Sequence, residues 1–296
     1  GYFANLTHGV PLLGVQRGTF ARALGATTLT AQLFNAGPAA TEALLSGALD
    51  AAYLGPSPAI NAYARTAKKG VRLLAGGATG GAALVVKPAL TSPERLRGAT
   101  LGSPQLGGTQ DVALRAWLLE HGLKTDRNGG SDVTIVAQDN AQTLDLFKSG
   151  TIDGAWLPEP WVSRLVVEAG ARVLVDEAAL WPGGLFPTTQ LLVTQAYLAG
   201  HATAVASLLR AHVEVVLWAR ANPAAAAGTI NGEIGRLTGK ALPSPVLSRA
   251  LGQVSLGWDP VAAALPTLGR NAVRAGTASR EPALSGILDL RPLNAA

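Results

Sequence analysis

An α/β fold of two lobes, each a mostly parallel sheet flanked by helices, is what this sequence predicts, and three observations predict it. The chain has 296 residues, more than one hydrophobic core ordinarily serves, so two cores are expected. Short runs rich in Val, Leu and Ala alternate with helical patterns along most of its length, the alternation that goes with helix-covered parallel sheets. The third observation is a repeat: SGALDAAYLGPSP from Ser46 is written again, altered, as SGTIDGAWLPEPW from Ser149.

The elements follow in chain order. TLTAQLF from Thr28 reads as a strand. A helix then starts at Pro38 with Gly37 as its N-cap, because proline is pre-set for the first helical position. LDAAYLG from Leu49 is a strand, PAINAYARTAKK from Pro58 a helix, and RLLAGGA from Arg72 another strand. Further strands fall at ALVVKP, VTIVAQ, IDGAWL and RVLVD, with a return strand at QLLVTQ from Gln190. Beyond Tyr197 the pattern turns mostly helical, and Leu209, Val213, Val216 and Leu217 keep the spacing of a packed helix face. Laid together without a gap, residues 34 to 58 match residues 137 to 161. Ser46, Gly47, Asp50, Ala52 and Leu54 then meet Ser149, Gly150, Asp153, Ala155 and Leu157, and Trp156 stands where Tyr53 stood. Each copy reads as helix, tight turn, strand, loop and helix, so two related lobes would present the same sheet edge to one cleft.

Composition narrows the function classes. Hydrophobic residues make up 48% and charged residues 15%, the balance of a packed globular protein and not of a disordered one. No run approaches the eighteen or so apolar residues of a bilayer span. Cysteine is absent, which excludes disulfides, thiolate nucleophiles and cysteine-held metals together. Methionine is absent too, even at position 1, so a segment upstream of Gly1 is expected, either an export signal or a trimmed piece. The net charge of +5 is scattered. Lys68 and Lys69 are its densest cluster and have no aromatic interleaving, which fits a mild attraction for anions and not nucleic-acid binding.

Ligands of open α/β sheets sit beyond the carboxyl ends of the strands, which makes four loops candidates. Asn5 to His8 follow the short strand GYF. Gly55, Pro56 and Ser57 follow the strand of the first repeat copy, Gly107 and Gly108 precede Thr109 as an N-cap, and Glu159 lies between Pro158 and Pro160. A helix N-terminus offers unpaired N–H groups and partial positive charge, and glycine lets an anion come close. Converging, such ends would hold an oxyanion without Arg or Lys. Taken singly, Ser57 and Thr109 read equally as plain caps, and the Gly pair matches neither a P-loop nor GxGxxG. Asp111, in the first turn, is expected to point outward. Trp156 reads either as core packing or as an apolar wall for a ligand tail with Tyr53 opposite. Glu159 could cap its helix, pair across the lobes or meet a ligand ammonium. His8, His121, His201 and His212 form no HExxH pair, there is no GxSxG elbow, and only His8 falls in a candidate loop. No catalytic residue, metal site or cofactor is expected.

With these loops assembled, the chain resembles the solute-binding proteins of ABC importers in the aliphatic sulfonate, taurine and nitrate group, which have a two-lobed periplasmic-binding-protein-like fold of class II. The resemblance rests on GYFANLTHGVPLLGVQRGTF, FNAGPAATEALLSGALDAAYLGPSPAI, LRGATLGSPQLGGTQDVALRAWLLEHGL and TLDLFKSGTIDGAWLPEPWVSRLVVEAGARVLVD, covering most of residues 1 to 195. It implies one lobe of residues 1–86 with 191–296 and a second of 87–190, joined by two crossovers and closing like a hinge. By position it implies ligand-facing loops at Asn5 to His8, Gly55 to Ser57, Gly107 to Gln110 and Trp156 to Glu159, with Thr188 and Thr189 at the second crossover. It further implies an extracytoplasmic monomer, free or lipid-anchored through an upstream segment, that hands a small organic anion to a membrane permease. Loops without Arg suit an aliphatic sulfonate cradled by neutral donors. Nitrate, taurine, an aromatic acid or a thiamine-precursor pyrimidine are the alternatives on the same fold. A biosynthetic enzyme on that fold, or an effector-sensing module, are the rival classes.

Overall fold

The computed structural model describes residues 1–126 and 130–296. Nine strands are formed among them: β1 Ala51–Leu54, β2 Val71–Gly80, β3 Ala82–Val86, β4 Thr100–Ser103, β5 Thr134–Ala137, β6 Gly154–Pro158, β7 Arg172–Asp176, β8 Pro187–Thr194 and β9 Val254–Leu256. They make two sheets, one ordered β1-β8-β2-β9 and the other β5-β4-β6-β3-β7. Helices cover both faces of each, and the buried apolar side chains form two clusters per sheet. The two-lobed α/β architecture is therefore as expected.

Strand sense is corrected. Every pairing in the first sheet is antiparallel, and the second is parallel only across β5-β4-β6. The cause is the same in both lobes. β1, helix Pro56–Arg65 and β2 do form a right-sensed pair of parallel strands, but β8 returns from the far side of the chain and runs between them in the opposite direction. Likewise β6, helix Trp161–Ala169 and β7 are parallel to each other with β3 inserted between them. The chain changes sheets at Gly81 and again between Asp176 and Pro187, so β3 and the first residues of β8 lie on the other side of the boundaries read at 86 and 190.

The repeat is built as written. The shift that lays residues 34 to 58 on 137 to 161 also carries helix Gly37–Leu45 onto helix Asn140–Lys148, and β1 onto the first four residues of β6. Gly47 and Gly150 follow those helices at φ +80° and +79°, the left-handed position past a helix end that glycine adopts without steric cost. The Ser46 and Ser149 hydroxyls donate back to the carbonyls of Ala43 (3.1 Å) and Leu146 (3.0 Å). Tyr53 and Trp156 both point into the core on the sheet face away from Leu54 and Leu157.

Other differences have local reasons. TLTAQLF forms no strand: it meets only the N-terminal Gly1–Phe3 segment through Tyr2 N to Gln32 O (3.1 Å) and Phe34 N to Tyr2 O (3.0 Å), too short a ladder, and most of its residues face solvent. Its following helix opens at Gly37 with Ala36 as N-cap, and the helix after β1 opens at Pro56 with Gly55 as N-cap. β4, whose TLGS holds a single large apolar residue, and β9, three residues long, leave no periodic signal. Helix Ala202–Ala221 is long and apolar enough by composition to cross a membrane, contrary to the reading that no run comes near. It packs Val205, Leu209, His212, Val215 and Val216 into the first core, so of the expected face Leu209 and Val216 are buried and Val213 half-buried, while Leu217 is exposed.

Candidate functional site

The lobes meet where helix N-termini converge, around a cavity of about 30 Å³ lined by Asn5, Thr7, His8, Gly55, Gly108, Thr109, Gln110, Pro158 and Thr188. Each comes from a loop that the sequence places beyond a strand end. Asn5 precedes the turn Leu6–His8, which leads into helix Gly9–Gln16; Gly55 caps Pro56–Arg65; Gly108 caps Thr109–Glu120. No carboxylate, Lys or Arg side chain lines this space. Its one titratable group among the described residues is neutral: burial pushes the His8 imidazole down to about 3. His8 Nδ1 accepts from the Phe3 backbone N–H at 3.2 Å, so a neutral ring carries its hydrogen on Nε2, as a donor.

Two lobes close here to contact distance. Ser57 N donates to Thr109 Oγ1 (3.4 Å), and a Cβ on Gly55 would lie 2.2 Å from that same oxygen, so only glycine permits this approach. Leu6 N donates to the Glu159 carbonyl (3.2 Å), and Trp161 Nε1 to Asn5 Oδ1 (3.0 Å). Ser57 Oγ and Thr189 Oγ1 are buried with no partner among the described residues, but neither residue lines the cavity. Thr188 does line it, and its hydroxyl donates to the Gly80 carbonyl. Thr189 lies behind, against Gly77. Gly107, at φ +76°, turns the chain into Gly108.

Asp111 stays off the cavity, as expected, but it turns into the second lobe and not out to solvent. Fully buried, it accepts from Ser103 Oγ (2.9 Å), Gly107 N (2.9 Å) and Arg115 Nε (3.0 and 3.1 Å). A carboxylate one turn into the helix thus fixes the Gly107–Gly108 loop from behind, its charge met by a buried guanidinium and kept off the cavity. Glu159 realises two of its three readings. Its oxygens accept from Ser163 N (3.0 Å) and Ser163 Oγ (2.9 Å), and Arg249 reaches across from the other lobe (3.2 Å). Burial raises its pKa, and the Ser163 and Arg249 contacts pull the other way.

The aromatic pair stands elsewhere. Trp156 is wholly buried in the second core, edge-on to Trp117 with centroids 6.2 Å apart, and donates from Nε1 to Glu177 Oε2 at 2.7 Å. Burial pushes the Glu177 carboxyl up to about 8. Tyr53 is stacked between Phe20 and His212, its hydroxyl 2.8 Å from His212 Nδ1. Neither ring touches the cleft cavity.

The aromatic residues at the cleft include Phe3, which lines the cavity, and Trp161, which lines the space beside it; with Asn35, Gly37, Pro104 and Asn140 they are absent from the candidates read from the sequence. Gly37 and Asn140 could have been found, since they open the two repeated helices and the repeat shift carries one onto the other. Asn140 Oδ1 is buried and has no partner among the described residues.

Two α/β lobes meeting at a cleft ringed by helix N-termini are the architecture of the periplasmic binding proteins. The chain belongs to the NMT1-like family, whose model matches residues 1–231. The taurine-binding periplasmic protein of Escherichia coli (strain K12) is 32% identical over 177 residues, 60% of this chain and 52% of that protein. The bicarbonate-binding protein CmpA of Synechococcus sp. is 26% identical over 152 residues, 51% of this chain and 32% of the relative. The chain thus spans about half the length, or less, of these relatives. In fold it is similar to the alkanesulfonate-binding protein SsuA of Xanthomonas axonopodis pv. citri bound to MOPS, with TM-score 0.80 and 20% identity over 98% of this chain and 96% of that one.

Proposed function

We propose that this protein is the extracytoplasmic solute-binding component of an ABC importer, a monomer that captures a small organic anion between its lobes and delivers it to a membrane permease. The observation that carries the proposal is the cavity at the lobe junction, ringed by helix N-termini and neutral donors and free of charged side chains. Partial positive charge from helix ends favours an anion, and uncharged donors suit one that stays ionised over the whole physiological range. An aliphatic sulfonate fits both conditions. Taurine fits less well, because Glu159, bonded to Ser163 and Arg249, does not line the cavity, which leaves no carboxylate there for an ammonium. The names of the relatives, binding proteins for taurine and bicarbonate, support an anion as cargo and the periplasmic side as location.

Within this proposal the lobes follow the sheets. The ligand contacts are Asn5, His8, Gly55, Gly108, Thr109, Gln110 and Thr188, joined by Asn140, and Gly107, its N–H held by Asp111, turns the chain into Gly108 from behind. Ser57 and Thr189 support them from behind, Glu159 latches the lobes, and Trp156 braces the second core.

A thermal-shift series tests it: alkanesulfonates of increasing length, taurine, nitrate, bicarbonate, sulfate and matched carboxylates. Ligand at about a hundred times its Kd stabilises the folded state by roughly 2.7 kcal/mol, a shift of several degrees. Sulfonates are expected to raise Tm and taurine to raise it less. A series in which only bicarbonate or nitrate shifts Tm would move the assignment to that anion. Silence across the whole series would remove the anion reading.

A further inference from the structure

The cavity at the lobe junction, about 30 Å³, has room for about two waters. A head group of a few heavy atoms fits it and an organic body does not. Beside it lies a chamber of about 320 Å³ that shares Phe3, Asn5, Asn35 and Asn140 with it, so the two spaces adjoin along one wall. The walls away from that shared one include the apolar Phe34, Leu237, Leu242 and Pro243. Its charged side chains are already engaged or face water, and Asn140 Oδ1, on the shared wall, is left without a partner among the described residues. Arg164 is held by Glu168 through Nε (3.0 Å) and Nη2 (3.2 Å), Asp139 accepts from Asn35 Nδ2 (3.2 Å), and Lys240 is exposed.

Trp161 is fixed at the junction of the two spaces. Its Nε1–H is tied to Asn5 across the lobes at 3.0 Å, and the Arg164 guanidinium lies 4.9 Å over the ring. We propose that the ligand is a two-part anion: an oxyanion head at the helix ends and a bulky, cyclic or aromatic tail lying in this chamber against the Trp161 indole. The inference rests on the reading of the smaller cavity as the oxyanion site. An indole held by a hydrogen bond and a cation presents a rigid apolar surface, at little ordering cost, to a flat or cyclic partner. Because the walls at Leu237, Leu242 and Pro243 come from the C-terminal helical region, that region sets tail selectivity while the repeated helix starts set head selectivity.

Isothermal titration of the full chain with methanesulfonate and 2-naphthalenesulfonate, on wild type, Trp161→Ala and Trp161→Phe, tests this. Wild type is expected to bind the naphthalene compound at least tenfold more tightly than methanesulfonate. Trp161→Ala should lose most of that advantage while methanesulfonate changes by less than about threefold. Trp161→Phe keeps an aromatic wall but not the bond to Asn5, so retention of the advantage in that variant assigns it to the ring. Equal wild-type affinity for the two sulfonates, or an equal loss for both in Trp161→Ala, overturns the tail site and leaves the head site standing. Binding of neither overturns the head reading, and the tail site with it.

Discussion

Trp156→Ala lowers the unfolding free energy by about 3–5 kcal/mol, the usual cost of emptying a large aromatic site in a core, and drops Tm by on the order of ten degrees. The indole is wholly buried and edge-on to Trp117, so its loss leaves a void bounded by a second large ring. The loss has a sign in pH as well. Glu177, whose carboxyl burial raises to about 8, contributes stability that is fully present below its unfolded value near 4.5 and is lost as pH rises through the folded value. The Trp156 N–H opposes that rise, so removing it pushes the folded value higher still and makes the deficit of the variant larger at alkaline pH than at pH 5. Denaturant melts at both pH values read this directly. Ligand affinity, measured where the variant is folded, is expected to change little, whatever the tail. A loss that grows with tail length would return Trp156 to the cleft wall.

The second large effect is at Asp111. Removing the carboxylate in Asp111→Ala leaves the Arg115 guanidinium, 3% exposed, without its counter-charge. Breaking a buried pair from one side costs about 3–5 kcal/mol, because the remaining charge stays out of water. The same change frees Ser103 Oγ and Gly107 N, so the loop that aims the Gly108–Thr109 helix end loosens. Anion affinity should fall with stability, by tenfold or more. Asp111→Asn, which keeps an acceptor for Arg115 and Gly107, should lie between. An Asp111→Ala protein with wild-type melting and wild-type affinity would show the carboxylate to be dispensable.

Much of this was legible in the sequence because it is local chemistry. The Ser-Gly turns and the repeat itself are set by residues a few positions apart, and the structure carries them at the predicted places, while the two helices near Gly55 and Gly108 each open slightly earlier than read, at Pro56 in place of Pro58 and with Gly108 in place of Thr109 as N-cap. What was not legible is what depends on partners far away in the chain. β1 and β2 are parallel, as their alternation with a helix says, but nothing in either strand announces that β8 will lie between them. The side on which Trp156 lies is decided by its alternation with Ala155 and Leu157, which marks a face without saying which face is cleft and which is core. Asp111 was expected outside because a lone carboxylate near an anion site is unfavourable. Arg115, one helical turn on, removes that objection, and the i, i+4 spacing was there to be read. Trp161, two residues beyond Glu159, was passed over in favour of the more conspicuous Trp156.

The inserted strands also set an order of assembly. The second sheet is drawn from one continuous stretch, Ala82 to Asp176, whereas the two inner strands of the first, β2 and β8, are separated by that entire stretch. Bringing β8 between β1 and β2 means closing a loop of roughly a hundred residues, a step whose entropy cost falls once the intervening lobe is compact. The second lobe is thus able to fold as soon as it is made, while β1 and β2 wait with unpaired edges for a strand not yet present. Early hydrogen-exchange protection at β4 and β6, ahead of β1, is the signature of that order. During synthesis and refolding, then, it is the N-terminal 80 residues, though first to appear, that stay exposed to aggregation longest.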